Sequence, residues 1–283
     1  MSPEAQPPRR DPNRMSILEH LEELRSRLLR IAVAIVLGFF AAWAFAPQIY
    51  NFVVAPAVAQ LPPGTRLAYT GIADPFLLYM KVALLAGLFL AAPYVLLQIW
   101  LFVSPGLYRK EKRWTIPFVV ATTFFFFLGS AFAYVAIVPF AAKYFISLGD
   151  EAGFQPIITV KELLGFELQM ILATGGVFEM PVLIFFLTRI GVVTPGFLWR
   201  YFGHSMFVIW LIAAWVTPPD VFSMMLVGFP MTLLYVLGIG VSWIFRPRAA
   251  ATKPEAPGPP PPAGKTTEPT PPEGPPAPPA MAG

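Results

Sequence analysis

Three acids in this sequence stand where a carboxylate has chemical consequences: Glu23, Glu111 and Glu179. Glu179 lies deep in an apolar stretch, between Phe178 and Met180. A carboxylate at such a depth costs a few kcal/mol and needs a partner, water or a proton. Three roles fit it: a protonated link to a neighbouring helix, a contact for a partner's polar transmembrane residue, or a proton-coupling site. Glu167 is nearer the outer end of the same stretch and is expected to snorkel to the interface. Glu111 is one acid among Arg109, Lys110, Lys112 and Arg113. It is either neutralised by those neighbours or offers a carboxylate at the membrane surface to an incoming cation. Glu23 faces the same alternative, because Arg27 stands at i+4 as an ordinary helix pair.

Other chemistries find little support. Cysteine is absent, which removes disulfides and thiolate ligands, and two histidines, His20 and His204, do not make a metal centre. No phosphate-binding GxxxxGK[ST] loop occurs. Ser205 merely adjoins His204, and adjacent helical residues point apart, so no nucleophile-base pair is expected. The reading is of a protein without catalytic residues, metal or cofactor, and with no nucleic acid as partner.

The elements that hold the acids are apolar. Of 283 residues 56% are hydrophobic and 13% charged, and the mean hydropathy is +0.63. A soluble surface needs roughly twice that charge. Six apolar stretches, about 28–46, 76–103, 115–138, 163–187, 201–216 and 221–245, predict an all-α, polytopic membrane protein with six spans. Ser16 with Glu19 fits a capping box opening an amphipathic helix, which lies at the membrane surface and feeds the first span. The first span is read as a retained helix rather than a cleaved signal peptide. Pro93, Pro181 and Pro230 fall inside the second, fourth and sixth spans and are expected to kink them into a curved, concave bundle. The outer loops 47–75 and 139–162 are long enough for short helices of their own. Residues 1–14 and 246–283, rich in proline, are expected to be disordered tails flanking a membrane domain at 15–245.

Lysine and arginine set the orientation. With the N-terminus inside, sixteen of the 20 Lys and Arg residues fall on the inner side, leaving Arg66, Lys81, Lys143 and Lys161 outside. Both termini are therefore expected in the cytoplasm.

Several segments resemble the TatC family, the multispanning receptor core of the twin-arginine protein translocase. They are His20-Leu21-Glu22-Glu23-Leu24-Arg25, Ala55-Pro56, Ser104-Pro105-Gly106-Leu107-Tyr108 followed by Glu111, Phe132-Ala133-Tyr134, Phe178-Glu179-Met180-Pro181 and Thr217-Pro218-Pro219-Asp220-Val221-Phe222-Ser223. The likeness runs from about Met15 to Phe245. It implies recognition of paired-arginine signal peptides of folded precursors, with Glu23 and Glu111 as the acids that take the arginines. It further implies Arg25, Phe102 and Tyr108 near that patch, and Pro56, Tyr134 and Asp220 as functionally sensitive. Glu179 corresponds to the family's intramembrane carboxylate, which meets polar residues of the single-span TatA and TatB partners. The resemblance also implies a bacterial inner-membrane location, homo-oligomers within the receptor complex and export driven by the proton-motive force. Met224 stands where many relatives carry Gln, and the Pro-rich tail is not a family feature. The alternative from another class is a proton-coupled small-solute transporter using Glu179, although no repeat relates spans one to three with four to six.

Overall fold

The computed structural model describes residues 17–103, 115–154, 157–189 and 191–244, which form one compact all-helical unit. Helix α1 (Ile17–Trp43) is unbroken, so the amphipathic start continues the first span as one rod rather than lying apart from it. A turn at Ala44–Phe45 leads to α2 (Ala46–Val58), and then α3 (Asp74–Val103) returns alongside α1. Helix α4 (Thr115–Phe132) passes through a π-helical turn, Ala133–Ile137, into α5 (Val138–Glu151). The third apolar stretch thus runs helical well beyond residue 138, using most of the outer loop.

The fourth stretch divides into α6 (Val160–Val177) and α7 (Met180–Arg189), interrupted at Phe178–Glu179. The interruption precedes Pro181, which occupies the first turn of α7, where a missing N–H costs no bond. Pro93 and Pro230 lie within the continuous helices α3 and α10 (Val221–Ile244). Between α7 and α10 come α8 (Pro195–Arg200) and α9 (Phe202–Val216). Among the described residues five helical segments are long and apolar enough to cross a membrane, and α9, at 15 residues, is a shorter apolar sixth.

Helix starts follow from local chemistry. Thr159 accepts the Glu162 N–H at 3.3 Å, Thr194 that of Phe197 at 3.2 Å, and Asp220 that of Ser223 at 2.7 Å. Each is an N-cap oxygen satisfying a donor the helix itself cannot. At the same end as α2, one backbone bridge joins Ala68 to Thr159, and no strand occurs among the described residues. The core is built from α2, α3, α6, α9 and α10 around Val82, Leu164, Met170, Ile209 and Met231.

The seam between α1 and α3 is made of small residues. Gly38, Ala42 and Ala46 face Ala83 and Gly87, and Ala42, Ala46 and Ala83 are buried together. A Cβ on Gly38 would lie 3.0 Å from the Gly87 Cα, so the two backbones touch. Small residues four apart permit this approach, and within a membrane it supplies the packing that apolar burial cannot.

Candidate functional site

The glycine contact sets the register of a polar cluster farther along the same two helices. Eleven residues from Gly38 toward the start of α1 lies Arg27, and eleven from Gly87 toward the end of α3 lies Gln98. That is a run of about 16 Å on each helix. Arg27 Nη1 donates to Gln98 Oε1 at 3.2 Å, and Arg27 Nε donates to Glu23 Oε1 at 2.9 Å, joined by Nη2. Gln98 is buried in an otherwise apolar stretch. The sequence reading missed it, although a lone amide near the end of a span is a recognisable signal.

Glu23 is therefore the ordinary i+4 partner of Arg27, but only through one oxygen. Its Oε2 is buried without a hydrogen-bond partner and faces His20 Nδ1 at 3.9 Å. His20 in turn stacks on Phe102, with ring centroids 4.5 Å apart and planes 13° from parallel. Phe102 thus joins Glu23 through His20. Arg25 does not: two residues from Glu23 it stands about 200° around the helix, and it is exposed. Glu111 and Tyr108 lie outside the described residues. Their segment, 104–114, is bounded by α3 and α4, which an aromatic cluster locks together. Trp100 meets Phe118 and Phe186 at centroid distances of 3.6 and 4.4 Å.

Glu179 occupies the break between α6 and α7. It is half-buried, its Oε1 lacks a hydrogen-bond partner, and its carbonyl accepts the Leu183 N–H at 2.9 Å. A carboxylate at a helix interruption lies beside polar backbone rather than on a smooth apolar face.

Glu167 departs from its expected role. It is fully buried, with neither carboxylate oxygen hydrogen-bonded, so it does not snorkel. The helix face on which it falls points into the bundle, and position along the span says nothing of that. The phenols of Tyr50 and Tyr134 and the backbone of Ala57 are near enough to interact with it.

Pro56 and Tyr134, separate in sequence, meet at one atom. Pro56 lies inside α2 and has no N–H to give to the Phe52 carbonyl. The Tyr134 hydroxyl donates to that carbonyl at 2.7 Å, and the Tyr134 and Phe52 rings stack at 4.8 Å. Tyr134→Phe is expected to cost about 1 kcal/mol in thermal unfolding in detergent, by orphaning the carbonyl. In a Pro56→Ala background the new N–H can take the carbonyl, so the same change should cost measurably less. Additive losses would show that the two residues are not linked.

Asp220 is the N-cap of α10, and its Oδ2 is buried without a partner. The Tyr235 hydroxyl donates to Ser205 Oγ at 2.8 Å, while the His204 ring sits 5.7 Å from that of Tyr201. The adjacent His and Ser are thus engaged separately. No cluster of three or more metal-ligating side chains occurs among the described residues.

Comparison with known proteins gives a consistent picture. The TatC profile, described as Sec-independent protein translocase protein, matches residues 19–230. The TatC of Koribacter versatilis is 42% identical over 246 residues, covering 86% of this chain and 90% of that protein. The Escherichia coli TatC is 34% identical over 223 residues, covering 79% of this chain and 86% of that protein. A crystal structure described as the twin arginine translocase receptor TatC superposes with a TM-score of 0.71 at 32% identity. It covers 80% of this chain and 99% of that one. These matches give the solute-transporter alternative no support.

Proposed function

The chain belongs to the TatC family of Sec-independent protein translocase proteins, and on that premise we propose that it is the receptor core that binds paired-arginine signal peptides through Glu23 and Glu111. It is a multi-pass membrane component of the twin-arginine translocase. The observation that carries the binding assignment is the half-engaged carboxylate of Glu23. One oxygen is fixed by Arg27 and the other is buried, without a hydrogen bond, and faces the His20–Phe102 stack. A guanidinium is permanently charged and offers forked donors to such an oxygen, whereas a lysine ammonium is a point charge. Glu111, on the segment joining α3 and α4, supplies the second acceptor. The surrounding cations repel generic positive charge, which leaves the two acids as the selective attraction.

In the same reading Phe102 and Tyr108 border this patch, Arg25 acts from the other face of α1, and Pro56, Tyr134 and Asp220 support the outer end. Both termini lie in the cytoplasm, the membrane is the bacterial inner membrane, and bends at Pro93 and Pro230, with the break just ahead of Pro181, give the bundle a concave face. The chain assembles with further copies of itself and with TatA and TatB type single-span proteins, for export driven by the proton-motive force. The test is site-directed crosslinking of the full chain to a precursor. Crosslinks are expected with the paired-arginine signal and not with its Lys-Lys variant. Equal crosslinking of both would defeat the reading.

Glu179 is the contact for a polar transmembrane residue of a single-span partner. Glu179→Ala should abolish co-purification with TatA and TatB while leaving peptide binding unchanged. Intact co-purification would count against this role.

A further inference from the structure

Lys81 has no counterpart in the scheme above. It sits seven residues into α3, about 10 Å from Asp74 along the helix, and its side chain is exposed. Among the described residues it has no hydrogen-bond or ion-pair partner. The nearest acid along α3, Asp74, is committed to its own turn. Its Oδ2 accepts the Gly71 N–H at 2.6 Å and the Thr70 N–H at 3.1 Å, and Lys161 is the cation that acts on it. A lysine within a span is costly unless its ammonium reaches an anion or the headgroup layer.

Beside Lys81 the packing of α1, α3 and α6 leaves a groove of about 310 Å³. Its other walls are aliphatic: Ile35 from α1, Leu84, Leu85 and Leu88 from α3, and Leu168 and Leu172 from α6. A single cation at the edge of a wholly apolar groove matches a ligand with an anionic head and a hydrocarbon chain. No carboxylate lines the groove to receive the ammonium of a zwitterionic headgroup.

We propose that this groove binds an anionic phospholipid, with its phosphate on Lys81 Nζ and one acyl chain laid against the leucines of α3 and α6. The lipid fills the gap between the helix that begins with the polar cluster of Glu23 and the helix that carries Glu167. The site is independent of signal-peptide binding, because it lies far along α1 and α3 from Glu23 and Gln98.

Native mass spectrometry of the full chain, titrated with phosphatidylglycerol or phosphatidylcholine, tests this. The wild type should retain phosphatidylglycerol with about fivefold preference, the scale expected for one lysine against an anionic lipid. Lys81→Arg should keep that preference and Lys81→Gln should lose it. Leu168→Trp, which fills the groove and leaves the charge, should reduce retention of phosphatidylglycerol. A photoreactive residue at Ile35 should label lipid. Equal retention of the two lipids by the wild type would overturn the site. So would unchanged preference in Lys81→Gln, or crosslinks from position 35 to a second copy or another protein in place of lipid.

Discussion

Glu23→Ala lowers affinity for a paired-arginine signal peptide by about 10- to 150-fold, the equivalent of one charge-assisted hydrogen-bonded pair of about 1.5–3 kcal/mol. The fold is expected to survive. Glu23 lies near the start of α1, outside the main core, and its loss leaves Arg27 still bound to Gln98. Glu111→Ala should fall in the same range, and the double variant should bind a paired-arginine peptide no better than a Lys-Lys peptide. Fluorescence anisotropy with the purified chain in nanodiscs reads the affinities, and circular dichroism verifies the helices. If both single variants bind as the wild type does, the acids are not the recognition site.

Gly87→Val is expected to be the most damaging single change in the described membrane helices. A Cβ at this position would overlap the backbone nitrogen of Phe39 and lie 2.8 Å from its Cα. Those atoms belong to a helix backbone and cannot rotate aside, so α1 must move away from α3. Overpacking of this kind costs about 1–3 kcal/mol. Because Arg27 and Gln98 share the register of Gly38 and Gly87, separating the helices also breaks the polar cluster. Stability in detergent and peptide affinity should therefore fall together, unlike in Glu23→Ala, where affinity alone falls. Gly176→Ala is the matching control: a Cβ there would meet no atom within 4 Å beyond its chain neighbours and its own helix backbone, and it should leave both readouts near wild type. Loss of stability with intact binding in Gly87→Val would separate the seam from the site.

Much of the architecture is legible from hydropathy, because a membrane span needs a long uncharged helix and nothing else resembles one. The six apolar stretches agree with five long helical segments and the shorter α9. Where each helix ends was less legible. The third runs on through a π turn to Glu151, since a helix continues where its residues favour it, not where apolar composition stops. The fourth breaks before its proline, at Phe178–Glu179, rather than around it.

The acids of the proposed site stand out in the sequence, whereas the residues that surround Glu23 do not. Glu23 and Phe102 meet through His20, but Gln98 and the glycine seam went unread, although Gly38, Ala42 and Ala46 recur every fourth residue. The burial of Glu167 depends on which face of α6 meets α2 and the π turn, a tertiary fact that no local pattern carries. Pro56 and Tyr134 each read as sensitive, yet their common atom, the Phe52 carbonyl, emerges only when the helices are assembled.

In the proposed recognition, the bond between Glu23 and Arg27 makes the receptor its own first ligand. A signal peptide does not enter an empty cleft. A guanidinium can reach Oε2 directly, but to grip both oxygens of Glu23 it must compete for Oε1 with an arginine tethered four residues away on the same helix. Apparent affinity is then reduced by the fraction of time the internal pair is closed. A lone basic residue on a passing protein must pay that toll and gains one contact, whereas two adjacent arginines pay it once and gain two. Rejection of weakly basic chains would thus come from built-in occupancy as well as from the shape of the acceptor, and Arg27→Gln would yield a receptor that binds more tightly and chooses less well.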